Sequence, residues 1–292
     1  MINRIYVIGQ LNIDYIVPAG TPGEQHASLS SHPLVGGTAF NAAKALKDRN
    51  FEPVIIGKVG SDRHGDFIKQ AIRSAGIDFI IKEEAAKPTG CCRIVFSDPD
   101  HSCRYYKSSS DDANKFDLDF LKQACDRIGK EDHVFLAGHF LRHRNTSEKR
   151  ELIDVLARKA GAIILDLVPH NIYQDITLAE FTGIVRDTAS VIIAEFVTLW
   201  RLIAPDSRSR APEEVDWEAL FANFQTGILV ARYGAGNISK QQIRQRAPHG
   251  PALVLEPEKD TGFADLNPED RRGFGDALTA AFLSKFLPLV RL

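Results

Sequence analysis

The sequence is poor in cysteine, which limits the class of protein it can encode. It contains four cysteines in 292 residues, at Cys91, Cys92, Cys103 and Cys125. They have no CxxC spacing and two of them are adjacent, so the pattern does not suggest a small scaffold held by disulfides. The plain interpretation is reduced thiols in a cytoplasmic protein.

Long hydrophobic runs and an excess of one charge are missing as well. The net charge is -2, so no basic surface points to nucleic acid or to an anionic membrane as a partner. No apolar run is long enough to span a bilayer, and the N-terminal stretch MINRIYVIGQLNID is typical of a first strand rather than a signal peptide. With 44% hydrophobic residues, the chain is expected to form a single large domain over residues 1–292.

Apolar runs of strand length alternate with amphipathic stretches of helix length. This alternation predicts an α/β fold of three layers, in which a mostly parallel sheet is covered by helices on both faces. Ligands of such sheets usually bind beyond the carboxyl ends of the strands. The predicted strands are 4–9, 53–57, 133–138, 162–167, 190–194, 227–232 and 252–256. The predicted helices are 38–48, 64–75, 117–128, 147–160, 213–224 and 275–288.

Two segments interrupt this alternation, at about 12–35 and at 89–107. In the second segment, apolar and polar residues alternate on both sides of Ser-Asp-Pro-Asp, which predicts a β-hairpin. An antiparallel piece attached to a parallel sheet predicts a small β lid made by these two segments.

The stretch GQLNIDYIV (9–17) places polar residues where the first strand leaves the sheet. Asn12 and Asp14 lie there, and an aspartate in this position can accept hydrogen bonds from the hydroxyl groups of a ligand. The alternative is an aspartate that only stabilises a turn.

The stretch VGGTAFNAAKAL (35–46) combines glycines with the start of a helix. Gly36 and Gly37 allow the backbone to approach a ligand closely. We expect Thr38 to cap the helix and Asn41 to lie in its first turn, where free N–H groups bind polar ligands. A loop and cap without a ligand is the equal alternative. Further along, GKVGSDRHGDFIKQAIRSAGID (57–78) predicts a helix that Asp62 caps.

The stretch RRGFGDALTAAFL (271–283) places an acid beside glycines at the start of an apolar helix. Gly273, Phe274 and Gly275 would present successive N–H groups, which favour an anion. Asp276 fits this place if it takes a proton from a nucleophile while the N–H groups stabilise a phosphoryl group. The alternative is an acid that only complements the helix dipole.

Together and in this order, these stretches resemble the ribokinase-like, or PfkB, family of carbohydrate kinases, from residue 3 to about 288. The resemblance is carried by NID after the first strand and by GGTAFNAAKAL, GKVGSDRHGDF and GFGDALTAAFL. It implies a mostly parallel sheet with a small β lid. It also implies transfer of the γ-phosphoryl group of ATP to a hydroxyl of a sugar or nucleoside, with Mg²⁺ accompanying the nucleotide.

The resemblance also implies roles for individual residues. Asp276 matches the general base of the family, and the three residues before it match an anion hole that is usually Gly-Ala-Gly. Residues matching the family's substrate side are Asn12, Asp14, Gly36, Gly37 and Asn41. Residues expected on the nucleotide side are Arg232, Gly234, Gly236, Arg271 and Arg272. Glu195, with Thr198, stands where the family carries an Asn-x-x-Glu pair tied to Mg²⁺ and phosphate, so Glu195 is the expected metal residue.

Several features depart from the family pattern and leave alternatives open. Phe274 replaces a small residue, and relatives usually continue through further helices beyond the one that Asp276 opens. A catalytically impaired relative that binds ligands is therefore one alternative. A nucleoside kinase whose acceptor stacks on Tyr105 or Tyr106 is another. A rival alignment places the base at DTGFAD (260–265). An exposed lid edge also suggests a homodimer formed through the lid.

Overall fold

The computed structural model of the chain divides into two compact units. It describes residues 4–18, 32–97, 102–107, 117–142, 145–168, 172–185, 188–205, 222–224, 227–233, 240–245, 253–255 and 273–287. The first unit comprises Met1–Phe116 and Gly262–Arg291, and the second unit comprises Asp117–Thr261. A single domain over residues 1–292 stays a prediction.

Strands and helices alternate along the chain, as the sequence pattern predicts. Up to Lys107 the elements are β1 (Arg4–Ile8), β2 (Asn12–Pro18), β3 (Leu34–Gly36), α1 (Thr38–Lys47), β4 (Glu52–Gly60), α2 (Arg63–Ser74), β5 (Asp78–Glu84), β6 (Gly90–Ser97) and β7 (Ser102–Lys107). They are followed by α3 (Leu118–Cys125), β8 (His133–Ala137), α4 (Thr146–Lys159), β9 (Ala162–Asp166), α5 (Leu178–Val185), β10 (Val191–Glu195), α6 (Phe196–Ile203), β11 (Ile228–Tyr233), β12 (Lys240–Gln245), β13 (Leu253–Leu255) and α7 (Phe274–Phe286).

In the first unit, β1, β4 and β5 pair in parallel in that order. The inner strands are apolar on both faces, as expected for strands covered from both sides. Helix α1 packs against β4 and against α7. Its buried side includes Ala39, Ala42 and Ala43, and such small side chains let α7 come close.

A separate four-stranded sheet in the first unit has the order β3-β2-β6-β7. Strands β6 and β7 pair antiparallel, which confirms the predicted hairpin, although its turn lies outside the described residues. Strand β2 pairs in parallel with β6 and antiparallel with β3. The prediction of a smaller separate sheet built from the segments 12–35 and 89–107 is therefore confirmed.

In the second unit, β8, β9, β10 and β11 pair in parallel, and β12 and β13 extend them antiparallel. Helix α4 begins where Asn145 accepts a hydrogen bond from the N–H of Glu148 at 2.8 Å. Its apolar side buries Leu152, Ile153 and Leu156. The described part of the chain contains no helix that is both long and apolar enough to cross a bilayer.

Some elements were not predicted, for reasons that the structure makes clear. Strand β5 ends the row β1-β4-β5 and carries charged residues in its second half, so its sequence lacks a continuous apolar run. Helix α6 begins at Phe196, directly after the last residue of β10, with no glycine or proline to mark the change. The predicted helix 213–224 lies outside the described residues except for 222–224.

Candidate active site

Asp14 and Gly36 lie side by side on neighbouring strands of the small sheet. The Asp14 side chain lies on β2, and the residue is only 4% exposed. A Cβ at position 36 would lie 1.8 Å from its Oδ2, so glycine at 36 is what leaves room for the carboxylate. Asn12 is also buried, and strand alternation places it on the same face of the sheet as Asp14. The two polar residues predicted from the NID stretch therefore share one face.

The start of α1 is held by backbone atoms and not by the Thr38 side chain. Gly37 is the N-cap residue, with φ +88°, and its carbonyl accepts the first helical hydrogen bond from the N–H of Asn41 at 3.1 Å. The Ala39 N–H donates to the carbonyl of Gln10 at 3.1 Å. The prediction that Thr38 caps this helix is wrong, because Thr38 is already its first residue and no side chain caps the helix.

The N-terminus of α7 lies against the first turn of α1. Gly273 is the N-cap residue of α7 in a left-handed conformation, with φ 72°. A Cβ at this position would lie 2.9 Å from Cγ of Asn41 and 3.0 Å from its Nδ2, so the two residues touch. Asp276 lies in the first turn of α7 and is partly exposed. The structure thus places Asn41 next to the turn that carries Asp276.

A side-chain hydrogen bond supports the first turn of α7. The hydroxyl of Thr279, a residue only 1% exposed, donates to the carbonyl of Gly275 at 3.1 Å. The N–H of Ala277 donates to the carbonyl of Gly273 at 2.9 Å. Free N–H groups at such a helix start are suited to an anion. The side chain of Phe274 lies outside the described residues.

Asp62 joins α2 to the beginning of β6. Its carboxylate accepts hydrogen bonds from the Gly65 N–H at 2.8 Å, the Thr89 N–H at 2.8 Å and the Thr89 hydroxyl at 2.7 Å. Burial would raise the pKa of Asp62, but these hydrogen bonds outweigh it and lower the pKa. Asp62 is therefore the predicted helix cap, and it also fixes the residue that precedes β6.

His64 contacts both β2 and β6. Its Nε2 lies 3.2 Å from the Tyr15 hydroxyl, and its Nδ1 lies 3.6 Å from Sγ of Cys91. Burial raises the pKa of the Cys91 thiol, and the carboxylates of Asp62 and Asp14 raise it further. Burial also raises the pKa of Tyr15. The thiol and the phenol therefore remain protonated, and both are able to hydrogen bond with the imidazole.

In the second unit, a buried ion pair lies at the carboxyl ends of the parallel strands. Arg232 Nη1 is 3.6 Å from Oδ2 of Asp166, and the two side chains are only 4% and 2% exposed. Arg232 is also the register partner of Glu195 across β10 and β11. Asp166, Glu195 and Arg232 therefore lie near the carboxyl ends of three adjacent strands, at the edge of the sheet where ligands of such sheets bind.

The metal prediction concerns Glu195, which precedes α6 and is partly exposed. Over the described ranges, no group of three or more His, Cys, Asp or Glu side chains is arranged to hold a metal ion. Mg²⁺ commonly binds through only one or two carboxylates together with waters and substrate phosphates, so Glu195 fits as one such carboxylate. The other predicted nucleotide residues, Gly234, Gly236, Arg271 and Arg272, lie outside the described residues.

Comparison with known proteins assigns the family. Residues 3–191 match the family described as pfkB family carbohydrate kinase. The chain belongs to the PfkB family. It is 26% identical over 137 residues to ribokinase from Bacillus subtilis, an alignment that covers 46% of this chain and 46% of that enzyme. The chain thus matches about half the length of this curated PfkB relative.

Solved structures of a ribokinase and a fructokinase support the fold. Ribokinase from Giardia lamblia superposes with a TM-score of 0.73 at 16% identity, covering 99% of this chain and 84% of that one. Fructokinase from Vibrio cholerae, solved with fructose, ADP and calcium, superposes with a TM-score of 0.68 at 18% identity, covering 98% and 84%. The predicted ribokinase-like fold, a mostly parallel sheet with helices and a smaller sheet, is confirmed.

Three residues that the structure places near the predicted site residues were not predicted from the sequence. Asp166 ends a strand that was predicted correctly, and an acid at the carboxyl end of an apolar strand was the available signal. Thr89 is the first residue of the predicted hairpin segment 89–107, but its partner Asp62 is far away in the sequence. His64 lies within a stretch that was interpreted only as loop and helix, and no local pattern indicates its contacts.

Proposed function

We propose that the chain is an ATP-dependent kinase that phosphorylates a hydroxyl group of a sugar. The observation that carries this proposal is the contact between Gly273 and Asn41, which brings the start of α7 onto the first turn of α1. Membership of the PfkB family supports the reaction class.

In the proposed reaction, Asp276 accepts the proton of the attacking hydroxyl. A sugar hydroxyl is a weak nucleophile, so a base and correct positioning each contribute to the rate. The N–H groups of Gly273, Phe274 and Gly275 stabilise the charge on the phosphoryl group as it moves. The left-handed conformation of Gly273 supports this role, because it turns the chain into α7 just ahead of Asp276.

The acceptor sugar is held by polar residues of β2 and α1. The Asp14 carboxylate accepts hydrogen bonds from hydroxyl groups that do not react, and the Asn12 amide accepts or donates such bonds. Asn41 binds the sugar next to Gly273. The missing side chains at Gly36 and Gly37 leave room for the Asp14 carboxylate and for the carbonyl of Gln10, which sets the backbone that faces the sugar. The shared face of Asn12 and Asp14 and the room that Gly36 leaves for the carboxylate support this assignment.

The nucleotide is proposed to bind through Arg232, Gly234, Gly236, Arg271 and Arg272, with Glu195 as a ligand of Mg²⁺. When bound, Mg²⁺ supplies charge neutralisation to the phosphates. The position of Glu195 and Arg232 at the carboxyl ends of β10 and β11 supports this part of the proposal.

Replacing the proposed base provides the test. With ATP and Mg²⁺, ADP release is measured for D-ribose, D-fructose and adenosine, the last of which tests the nucleoside alternative. Asp276→Asn should lower kcat by about 10²–10⁴-fold, because it removes a positioned base. Asp119→Asn is the matched control, since Asp119 is an exposed acid in the first turn of another helix, α3.

The two variants distinguish two roles for Asp276, a general base or an acid that only complements the helix dipole. If Asp276→Asn keeps the parent rate, or loses no more than Asp119→Asn, Asp276 is not the base. If the parent releases no ADP with any acceptor but binds a sugar in calorimetry, the chain is a ligand-binding relative without this activity.

A further inference from the structure

His64 on α2 joins two strands of the small sheet through a single ring. Its Nε2 contacts the Tyr15 hydroxyl on β2 at 3.2 Å, and its Nδ1 contacts Sγ of Cys91 on β6 at 3.6 Å. The Tyr15 and His64 rings also meet edge to face, with centroids 6.4 Å apart. Both ring nitrogens of one imidazole are therefore committed to neighbouring strands.

These contacts flank Asp14 on both strands. Tyr15 follows Asp14 directly, and the register of β2 with β6 pairs Ile13 with Cys91 and Asp14 with Cys92. Side chains alternate between the two faces of a sheet, so Tyr15 and Cys91 lie on the face opposite Asp14. His64 thus holds the strands from behind the carboxylate and does not occupy the space in front of it.

Helix α2 has a second attachment close to the first. Asp62, which caps α2, binds both the N–H and the hydroxyl of Thr89, one residue before β6 begins. The Thr89 hydroxyl also accepts a hydrogen bond from the Gly60 N–H at 3.0 Å, at the end of β4. The N-terminal end of β6 is therefore held at Thr89, whereas β2 is held to α2 through the His64–Tyr15 contact.

We propose that His64 is a positioning residue that sets the place of the Asp14 carboxylate for the acceptor sugar. This inference rests on the proposed function, in which Asp14 binds a sugar hydroxyl. The Asp14 carboxylate fills the space beside Gly36, so a small shift of β2 relative to α2 moves this carboxylate. Binding of the sugar should depend on His64, whereas binding of the nucleotide should not.

The experiment uses variants that remove one contact or both. His64→Ala removes both, and Tyr15→Phe removes the hydroxyl. His64→Asn keeps a polar atom near the position of Nδ1, and His64→Gln keeps one near Nε2. His133→Ala is the matched control, because His133 is a partly buried histidine in the second unit.

We expect His64→Ala to raise the KM for D-ribose or D-fructose by about five- to tenfold, the effect of roughly one hydrogen bond. The KM for ATP and the kcat should stay within about twofold of the parent, and His133→Ala should leave both KM values unchanged. His64→Gln should retain more sugar affinity than His64→Ala. Adding Tyr15→Phe to His64→Ala should have no further effect, since the two residues share one contact.

Several results would overturn the inference. One such result is that the KM for the sugar in His64→Ala is no higher than in His133→Ala. Another is a parallel rise in the KM for both substrates with a lower Tm, which indicates a merely structural role. Calorimetry with the same sugars separates the inference from the proposed function. If the parent binds a sugar but shows no turnover, and His64→Ala weakens that binding, only the proposed kinase activity is refuted. A parent that binds neither sugar refutes both.

Discussion

Gly36 shows how one missing side chain determines the place of a proposed binding group. A Cβ there would overlap the Asp14 carboxylate at 1.8 Å from Oδ2. We expect Gly36→Ala to displace Asp14 and raise the sugar KM by about tenfold, because the displaced carboxylate loses a hydrogen bond to the sugar. Initial rates at varied sugar and at varied ATP measure this effect.

The control for this substitution is Gly129→Ala in the second unit. A Cβ at position 129 would lie 3.5 Å from Oδ2 of Asp132, an ordinary contact, so this variant should behave as the parent. Equal sugar KM values for Gly36→Ala and Gly129→Ala would mean that the Asp14 carboxylate does not bind the sugar.

At the scale of elements, the attachment of α2 to β6 should depend on pH through Asp62. Burial alone would raise the pKa of this carboxyl group, but hydrogen bonds from Thr89 and Gly65 lower it below its usual value. A group with a lowered folded pKa stabilises the protein above its unfolded value of about 3.9. That contribution is lost as the pH falls through the folded pKa.

Asp62→Asn should therefore lower the free energy of unfolding by about 1–2 kcal/mol near pH 7, since the amide accepts fewer of the hydrogen bonds. The difference from the parent should shrink as the pH falls below about 4. Urea unfolding from pH 7 to pH 3 measures it, and the exposed Asp78→Asn is the control. A difference that stays constant across this range would show that the charge of Asp62 is not what stabilises the attachment.

Much of the element order follows from periodicity in the sequence, and the exceptions have physical causes. Strands such as β9 and β10 are continuous apolar runs between helices, so their sequence alone predicts them. Strand β5 was not predicted because charged residues interrupt its apolar run. Helix α6 was not predicted because no glycine or proline separates it from β10. The cap of α1 was missed because Gly37, and not Thr38, is the N-cap residue, and a backbone carbonyl, that of Gln10, accepts the N–H of Ala39.

The residue types of the candidate site could be proposed from the sequence, but the contacts between these residues could not. Glycines before a helix and acids after a strand indicate ligand binding by their chemistry. The contact between Gly273 and Asn41 depends on how α7 packs on α1, which local patterns do not determine. The same holds for His64, whose two contacts depend on the register of β2 with β6.

At the scale of the whole molecule, the residues with proposed roles come from both units. The residues proposed to bind the acceptor and to remove its proton, from Asn12 to Asp276, belong to the first unit. Arg232 and Glu195, proposed for the nucleotide and its metal, belong to the second unit. The fold is that of PfkB-family kinases, and we propose that polar residues of the first unit determine which acceptor binds.

The most direct measurement of the central claim is a crystal structure with D-ribose or D-fructose and a non-hydrolysable ATP analogue with Mg²⁺. We expect sugar density in contact with Asp14 and Asn41, with one hydroxyl within about 3.2 Å of the Asp276 carboxylate. Sugar bound elsewhere, or an Asp276 carboxylate turned away from every sugar hydroxyl, would contradict it.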